Sequence, residues 1–220
     1  VGPAYLGSDG VFTTACALRP PELLMVDMAD DPGFVHRLLG TIADAKINRT
    51  RALRRHYGRA MVETKNFGLA DDACMMLSPR AYRQFVLPYH RKVLNALADV
   101  PAIKASGGRV GMHLCGDAAH LFRIMVDALG VNLFDTGFPL DHGRVRAELG
   151  PDIWIQGGPR VQALKDGTPA DVFAETRRIL ESGVKAGGRF VLREGNNLAP
   201  RTPLENVRAM YEANLQFGGF

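Results

Sequence analysis

The chain alternates short apolar runs with longer stretches in which apolar residues return every three or four positions. Phe34, Leu38, Leu39, Ile42, Ile47 and Leu53 fall near helical spacing and predict a long helix from Asp31-Pro32 to about Tyr57. Further helices are predicted from Pro20-Pro21 through Met28, from Ser78-Pro79 past Pro88 to Leu97, and over 118–129, 143–149, 170–186 and 203–217. Residues 1–7, 60–67, 131–135, 152–156 and 189–192 read as strands, and 8–21 as a loop with a short helical piece. Arg109 to Asp117 reads as one more strand, stopped by Gly116 just before a helix. Asp31-Pro32, Ser78-Pro79, Thr168-Pro169 and Thr202-Pro203 each set a capping side chain before proline, and Glu205 predicts a capping box at the last. Strands alternating with helices in this way indicate an α/β protein built of parallel βα units, about six of them. A closed (β/α)8 barrel needs eight units and about 250 residues. The pattern therefore fits an open doubly wound sheet, or a TIM-type barrel whose first part is absent.

Composition narrows the class. A chain of 220 residues with 46% hydrophobic content predicts one domain with a sizeable core. Its three cysteines, Cys16, Cys74 and Cys115, lie far apart, which argues for a reducing compartment and against a disulfide framework. No apolar run reaches the length of a membrane span and no signal-peptide pattern opens the chain, so a cytoplasmic protein with no membrane partner is expected. The net charge is +4 and the pI near 9.1. Its basic residues are scattered, as in Arg51, Arg54, Arg55 and Arg59, without the basic run and interleaved aromatics of a nucleic-acid site.

Candidate chemistry gathers where strands end. His113 and Cys115 stand two apart and project to the same face at a strand's C-terminal end, where parallel α/β folds place their sites. An imidazole beside a thiol suits zinc; the alternative is a buried cysteine beside a histidine bonded to backbone. Two ligands do not decide between them. Asp71 and Asp72 follow an earlier strand and could hold a substrate cation, orient a metal-ligating histidine or act as acid and base, against plain loop capping. Asp135 either lines a pocket or bonds its own turn, and Arg160 after Gly157-Gly158-Pro159 could clamp a carboxylate or phosphate. Lys65 reads as a surface lysine, His36, His56, His90 and His120 as surface or core features of helices, and His142 as a loop residue.

Taken together, several of these stretches resemble the uroporphyrinogen decarboxylase superfamily. They are Met112-His113-Leu114-Cys115-Gly116, Gln156-Gly157-Gly158-Pro159 with Gly167-Thr168-Pro169, and Gly195 to Pro200 followed by Thr202-Pro203-Leu204-Glu205-Asn206. Asp71-Asp72 through Leu77-Ser78-Pro79, then Phe85-Val86-Leu87-Pro88-Tyr89, fit the same superfamily, and the likeness runs in order along the chain. It implies a (β/α)8 barrel, with residue 1 at about the third strand and the first two βα units missing. The superfamily includes the haem-pathway decarboxylase and zinc-dependent methyltransferases that work with corrinoid proteins.

The decarboxylase branch relies on residues of the first two units, carries a histidine where Asn196 stands, and does not use a His-x-Cys pair. The methyltransferase branch carries His-x-Cys and a later cysteine as zinc ligands. His113 and Cys115 match the first two, and Asn196 replaces the third. Glu194, two residues earlier on the same side, offers a carboxylate ligand or else a salt bridge to Arg193 or Arg201. The segment Arg193 to Asn197 looks like that of a large uncharacterised subgroup.

The expectation is a zinc-dependent, corrinoid-linked methyltransferase. Its metal ligands would be His113, Cys115 and Glu194, its catalytic residues Asp71, Asp72 and Glu194, and its substrate contacts Asp135, Arg160, Asn196 and Asn197. Its partners would be a small molecule and a corrinoid protein, and its strand edges allow a homodimer. The alternatives are a cofactor-free decarboxylase of a porphyrinogen-like polycarboxylate and a catalytically incomplete binding or assembly module.

Overall fold

The computed structural model describes residues 10–57 and 66–219. Among the described residues the architecture is α/β, with five strands in one sheet in the chain order β1-β2-β3-β4-β5. The predicted strand at 1–7, Lys65, and most of the strand predicted at 60–67 lie outside the described residues. The chain divides into two compact units, residues 1–114 with 124–131, and residues 115–123 with 132–220.

The first unit opens with α1 (Val11–Leu18), α2 (Pro21–Asp30) and α3 (Pro32–Tyr57). The long helix buries Val35, Leu39, Ile42, Ala43 and Ile47, a stripe at helical spacing that packs against the later helix α5. Asp31 starts it as predicted, its Oδ1 accepting from Phe34 N at 2.8 Å. Strand β1 (Phe67–Ala70) follows, then a 3-10 turn over Asp72–Met76 where a loop was expected. The helix predicted over 79–97 is interrupted: α4 (Pro79–Ala81) passes through a π turn at Tyr82–Val86 into α5 (Leu87–Leu97). Pro88 has no N–H to return to Gln84, so the ladder widens there by one residue. Helix α6 (Val100–Ala105), capped by Asp99, is an element the apolar pattern did not reveal. Strand β2 (Val110–Leu114) buries Val110, Met112 and Leu114 and leaves Gly111 and His113 on the other face. The two strands pair in parallel, with Ala70 opposite His113.

After α7 (Ala119–Leu129), the second unit holds the parallel strands β3 (Leu133–Thr136), β4 (Trp154–Gly157) and β5 (Phe190–Leu192). Helix α8 (His142–Leu149) joins the first two, and α9 (Val161–Asp166) and α10 (Pro169–Glu181) the last two. Helix α11 (Leu204–Phe217) packs on α10, where Val172, Ala209 and Met210 form a core with Leu164 of α9. The capping box expected at Thr202 and Glu205 stands instead at Thr168 and Asp171. Thr202 spends its hydroxyl on the carbonyl of Ala199 at 2.7 Å, and α11 begins after Pro203 with no side-chain cap.

A buried guanidinium ties the second unit together. Arg146, 4% exposed, donates to the carbonyls of Val184, Gly150, Ile153 and Arg189 at 2.7–2.9 Å. These carbonyls lie at or near the ends of regular elements, where backbone partners run out, although that of Arg189 also accepts from the Ile155 amide at 3.0 Å. Replacing Arg146 with Met is expected to cost about 2–4 kcal/mol in urea unfolding, whereas Thr168→Ala, which removes one exposed cap, should cost about 1 kcal/mol. Equal costs would show that the four carbonyls find other donors.

Candidate functional site

The first unit builds its strand ends around one carboxylate. Asp71 follows β1 directly and has no exposed surface. Its oxygens accept from Phe12 N at 3.1 Å, Thr13 N at 2.6 Å, the Thr13 hydroxyl at 2.7 Å and His90 Nε2 at 2.7 Å. Phe12 and Thr13 are the first-turn amides of α1, so Asp71 caps a helix 60 residues away in sequence; their separations are 59 and 58. Gly10 makes room for it, since a Cβ there would lie 2.0 Å from the Asp71 Cγ. Burial pushes the Asp71 pKa up, but the hydrogen bond and charge of His90 and the bonds from Thr13 outweigh it and hold the carboxyl below its ordinary value. Behind His90, Tyr82 Oη lies 3.0 Å from Nδ1. Burial pushes the Tyr82 phenol far up, so it stays protonated and shares a hydrogen bond with that nitrogen.

Asp71, Cys74 and His90 bring three potential metal donors within 4.8 Å of one another, all buried. Both imidazole nitrogens are already used, and burial with the Asp71 charge holds the Cys74 thiol protonated. This group is a closed network.

A second group stands at the same strand ends and is part-exposed. Asp72, His113 and Cys115 also bring their ligand atoms within 4.8 Å of one another. His113 Nε2 lies 3.7 Å from Asp72 Oδ1, and their side chains are 24% and 47% exposed. Local backbone sets this arrangement. The Asp71 amide donates to the His113 carbonyl at 3.1 Å, which extends the β1–β2 pairing by one residue and delivers Asp72 beside the imidazole. Cys115 follows His113 by two residues, and Gly116, at φ 76°, turns the chain away immediately after it. The absence of a side chain at Gly137 keeps the space around Cys115 open, for a Cβ there would lie 3.2 Å from Sγ.

The second unit closes its own strand ends with an arginine. Arg193 Nη1 lies 3.1 and 3.0 Å from the two oxygens of Asp135, and Nη2 donates to Glu194 Oε1 at 2.7 Å and to the Asn196 carbonyl at 2.8 Å. Of the two roles weighed for Glu194, the salt bridge to Arg193 is the contact present. Asn196 Oδ1 accepts from Asn197 Nδ2 at 3.4 Å, and Asn197 is exposed. Arg160 is likewise engaged, its Nη2 3.2 Å from Glu175 Oε2 and its backbone amide 2.9 Å from Oε1.

Sequence reading missed three polar residues. His90 sits on the apolar stripe of Val86, Val93, Leu94 and Leu97, and a histidine at that spacing is the signal of a buried partner. Arg193 was weighed only as a partner of Glu194. His142 is not a loop residue: it opens α8, is 4% exposed, and has no hydrogen-bond partner on either ring nitrogen among the described residues. Burial and the Arg178 charge push its pKa from 6.5 down to about 4.

Asp71→Asn is expected to lower stability by about 2–4 kcal/mol by urea unfolding, and His113→Ala, whose imidazole is part-exposed, by about 1 kcal/mol or less. An Asp71→Asn variant as stable as the parent would remove the carboxylate from its structural role. The unfolded chain takes up a proton at His142 near pH 6.5 and the folded chain only near 4. Relative to His142→Phe, the parent should therefore keep its full stability above pH 6.5 and lose about 3 kcal/mol as the pH falls to 4. Parallel curves for the two proteins would contradict this.

Comparison with known proteins gives the family. The family model described as Uroporphyrinogen decarboxylase (URO-D) matches residues 5–216. Uroporphyrinogen decarboxylase of Saccharopolyspora erythraea is 32% identical over 187 residues, 80% of this chain and 47% of that protein. The Methylcobamide:CoM methyltransferase MtbA of Methanosarcina mazei is 26% identical over 165 residues, 71% of this chain and 44% of that protein. The chain thus spans about half the length of the curated relatives it matches. A solved methyltransferase structure from Methanosarcina mazei superposes with a TM-score of 0.70 at 22% identity, covering 98% of this chain and 59% of that one. That likeness shows a shared fold, the α/β barrel type. The chain belongs to the uroporphyrinogen decarboxylase family.

Proposed function

We propose that the chain is the catalytic part of a zinc-dependent methyltransferase of the corrinoid-linked type, one that moves a methyl group onto a thiol. The observation that carries this reading is the part-exposed cluster of Asp72, His113 and Cys115, with ligand atoms within 4.8 Å of one another. A thiolate, an imidazole and a carboxylate suit zinc, and three protein ligands leave a fourth place for substrate. This differs from the set expected from sequence, in which Glu194 was the carboxylate; Asp72 takes that place. Zinc held there supplies a Lewis acid that lowers the pKa of a substrate thiol.

The chain's own residues do the positioning. Asp71 fixes the turn that carries Asp72, and Arg193 holds Asp135 and Glu194 as a fixed polar wall in its own unit. Asn196 and Asn197, following Arg193, are the amides left to contact substrate. In the transfer, a carbon–sulfur bond forms as the bond from methyl to its donor breaks, and the thiol proton passes to solvent. The methylcobamide named for the Methanosarcina relative supports a methylated corrinoid on a partner protein as the donor. Three cysteines that form no disulfide among the described residues fit the cytoplasm as the site of action, and no described helix is long and apolar enough to cross a membrane.

The decarboxylases among the relatives support a second reading, removal of carboxyl groups from a porphyrinogen-like polycarboxylate. It needs cations to clamp carboxylates. Arg160 and Arg193 are each already held by carboxylates of the chain, which favours the first reading.

Metal analysis of protein purified without chelator or metal affinity resin is expected to find about one zinc per chain, falling below about a tenth in Cys115→Ser and His113→Ala, with Asp72→Asn weakened. A folded parent without zinc would overturn the methyltransferase reading. Turnover of uroporphyrinogen by that metal-free protein would establish the second.

A further inference from the structure

A cavity of about 780 Å³ opens on the helical side of the second unit, between the segment after β3, the turn after β4, and helices α9 and α10. Its size is that of a small-molecule site. Phe138, Leu140 and Ile179 supply apolar wall, and His142, Glu175 and Arg178 supply polar groups. It lies on the sheet face opposite Asp135 and Gln156: a Cβ at Gly157 would meet His142 Nε2 at 2.5 Å and Thr136 Oγ1 at 2.6 Å, and side chains alternate along β3 and β4. The arginine-held cluster of Asp135, Arg193 and Glu194 plays no part in it.

Two of its polar groups are unspent. Buried imidazole nitrogens nearly always have partners, yet His142 has none on either. Nor can the ring turn easily to find one, because Gly157 abuts Nε2 and the Phe190 ring stands edge-on at 6.1 Å. Arg178 lines the same cavity, acts on His142 electrostatically, and forms no ion pair among the described residues. The neighbouring acids are occupied. Glu175 is bound by Arg160, Asp171 accepts from Thr168 in the capping box, and Asp166 accepts from Gln162.

We propose that this cavity binds a small organic carboxylate with an apolar body, its carboxylate bridging Arg178 and the His142 N–H. Burial keeps the imidazole neutral near pH 7, so it offers one N–H to an acceptor. Guanidinium and carboxylate form the stronger, charge-assisted contact. Phe138, Leu140 and Ile179 take the apolar body. The inference stands independently of the metal reading, since none of these residues belongs to the donor set.

The probe is benzoate, with benzamide as its uncharged counterpart. Histidine-labelled full chain is titrated to about 20 mM of each and the His142 ring signals, identified by their loss in His142→Phe, are followed by NMR. A saturable shift with benzoate is expected, at least about tenfold weaker with benzamide and in Arg178→Gln. Arg178 is exposed, so that variant keeps the fold, which its melting curve checks. No saturable shift of His142 with benzoate would overturn the site. An equal response to benzamide, or one unchanged in Arg178→Gln, would overturn the carboxylate assignment.

Discussion

The placement of one buried carboxylate governs the first unit. Asp71 takes no contact with water, and the bonds that compensate its burial come from two distant parts of the chain, the first turn of α1 with the Thr13 hydroxyl and His90 of α5. An uncompensated charge in that position would cost several kcal/mol, so these pieces are held to one arrangement. The same residue donates its amide to the His113 carbonyl, and the next residue is Asp72. The open donor set therefore inherits its geometry from a closed one. Thr13 reinforces the link, since its hydroxyl gives a proton to Asp71 and accepts one from the Ala73 amide at 3.0 Å.

In the second unit the fixed charges are cations. Arg146 satisfies four carbonyls, and Arg193 joins Asp135, Glu194 and the Asn196 carbonyl. An arginine suits this task because its planar fork presents several donors in fixed directions and does not lose its charge on burial. The consequence for chemistry is a separation of roles. Arginines that a reader of the sequence would offer to an anionic substrate are consumed in building the strand ends. The softer set of imidazole, thiol and carboxylate at the end of β2 stands close together and part-exposed.

The sequence made the elements legible because their signals are local. The stripe from Phe34 to Leu53 and the Asp31-Pro32 start place α3, and alternation in β2 puts His113 beside Cys115. Local signals also misled. Thr202-Pro203 with Glu205 has the form of a capping box, but whether a hydroxyl caps depends on where the preceding carbonyls lie, and Ala199 claims it. Asp71 and Asp72 look equivalent in sequence, and only tertiary contact separates them: one is plugged into α1 and the other faces the imidazole. Glu194 depended on Arg193 in the same way. His90 carried a readable sign, its place on an apolar stripe. His142 carried none, because its burial comes from strands β4 and β5 closing over it.

Family membership leaves the reaction open, since decarboxylases and a methyltransferase share it with this chain. The physical discriminant is which polar groups the fold has already satisfied. A site that clamps a polycarboxylate needs guanidinium groups free of partners at the strand ends, because a cation already paired with a carboxylate must break that pair before it can bind another. A thiol-activating metal site needs soft donors held close together, with a way for substrate to reach them. Asp72, His113 and Cys115 are such donors, part-exposed and within 4.8 Å of one another, while Arg160 and Arg193 are already paired with carboxylates. The paired arginines and the clustered soft donors therefore support the metal reading over the polycarboxylate one, while family membership by itself shows neither reaction.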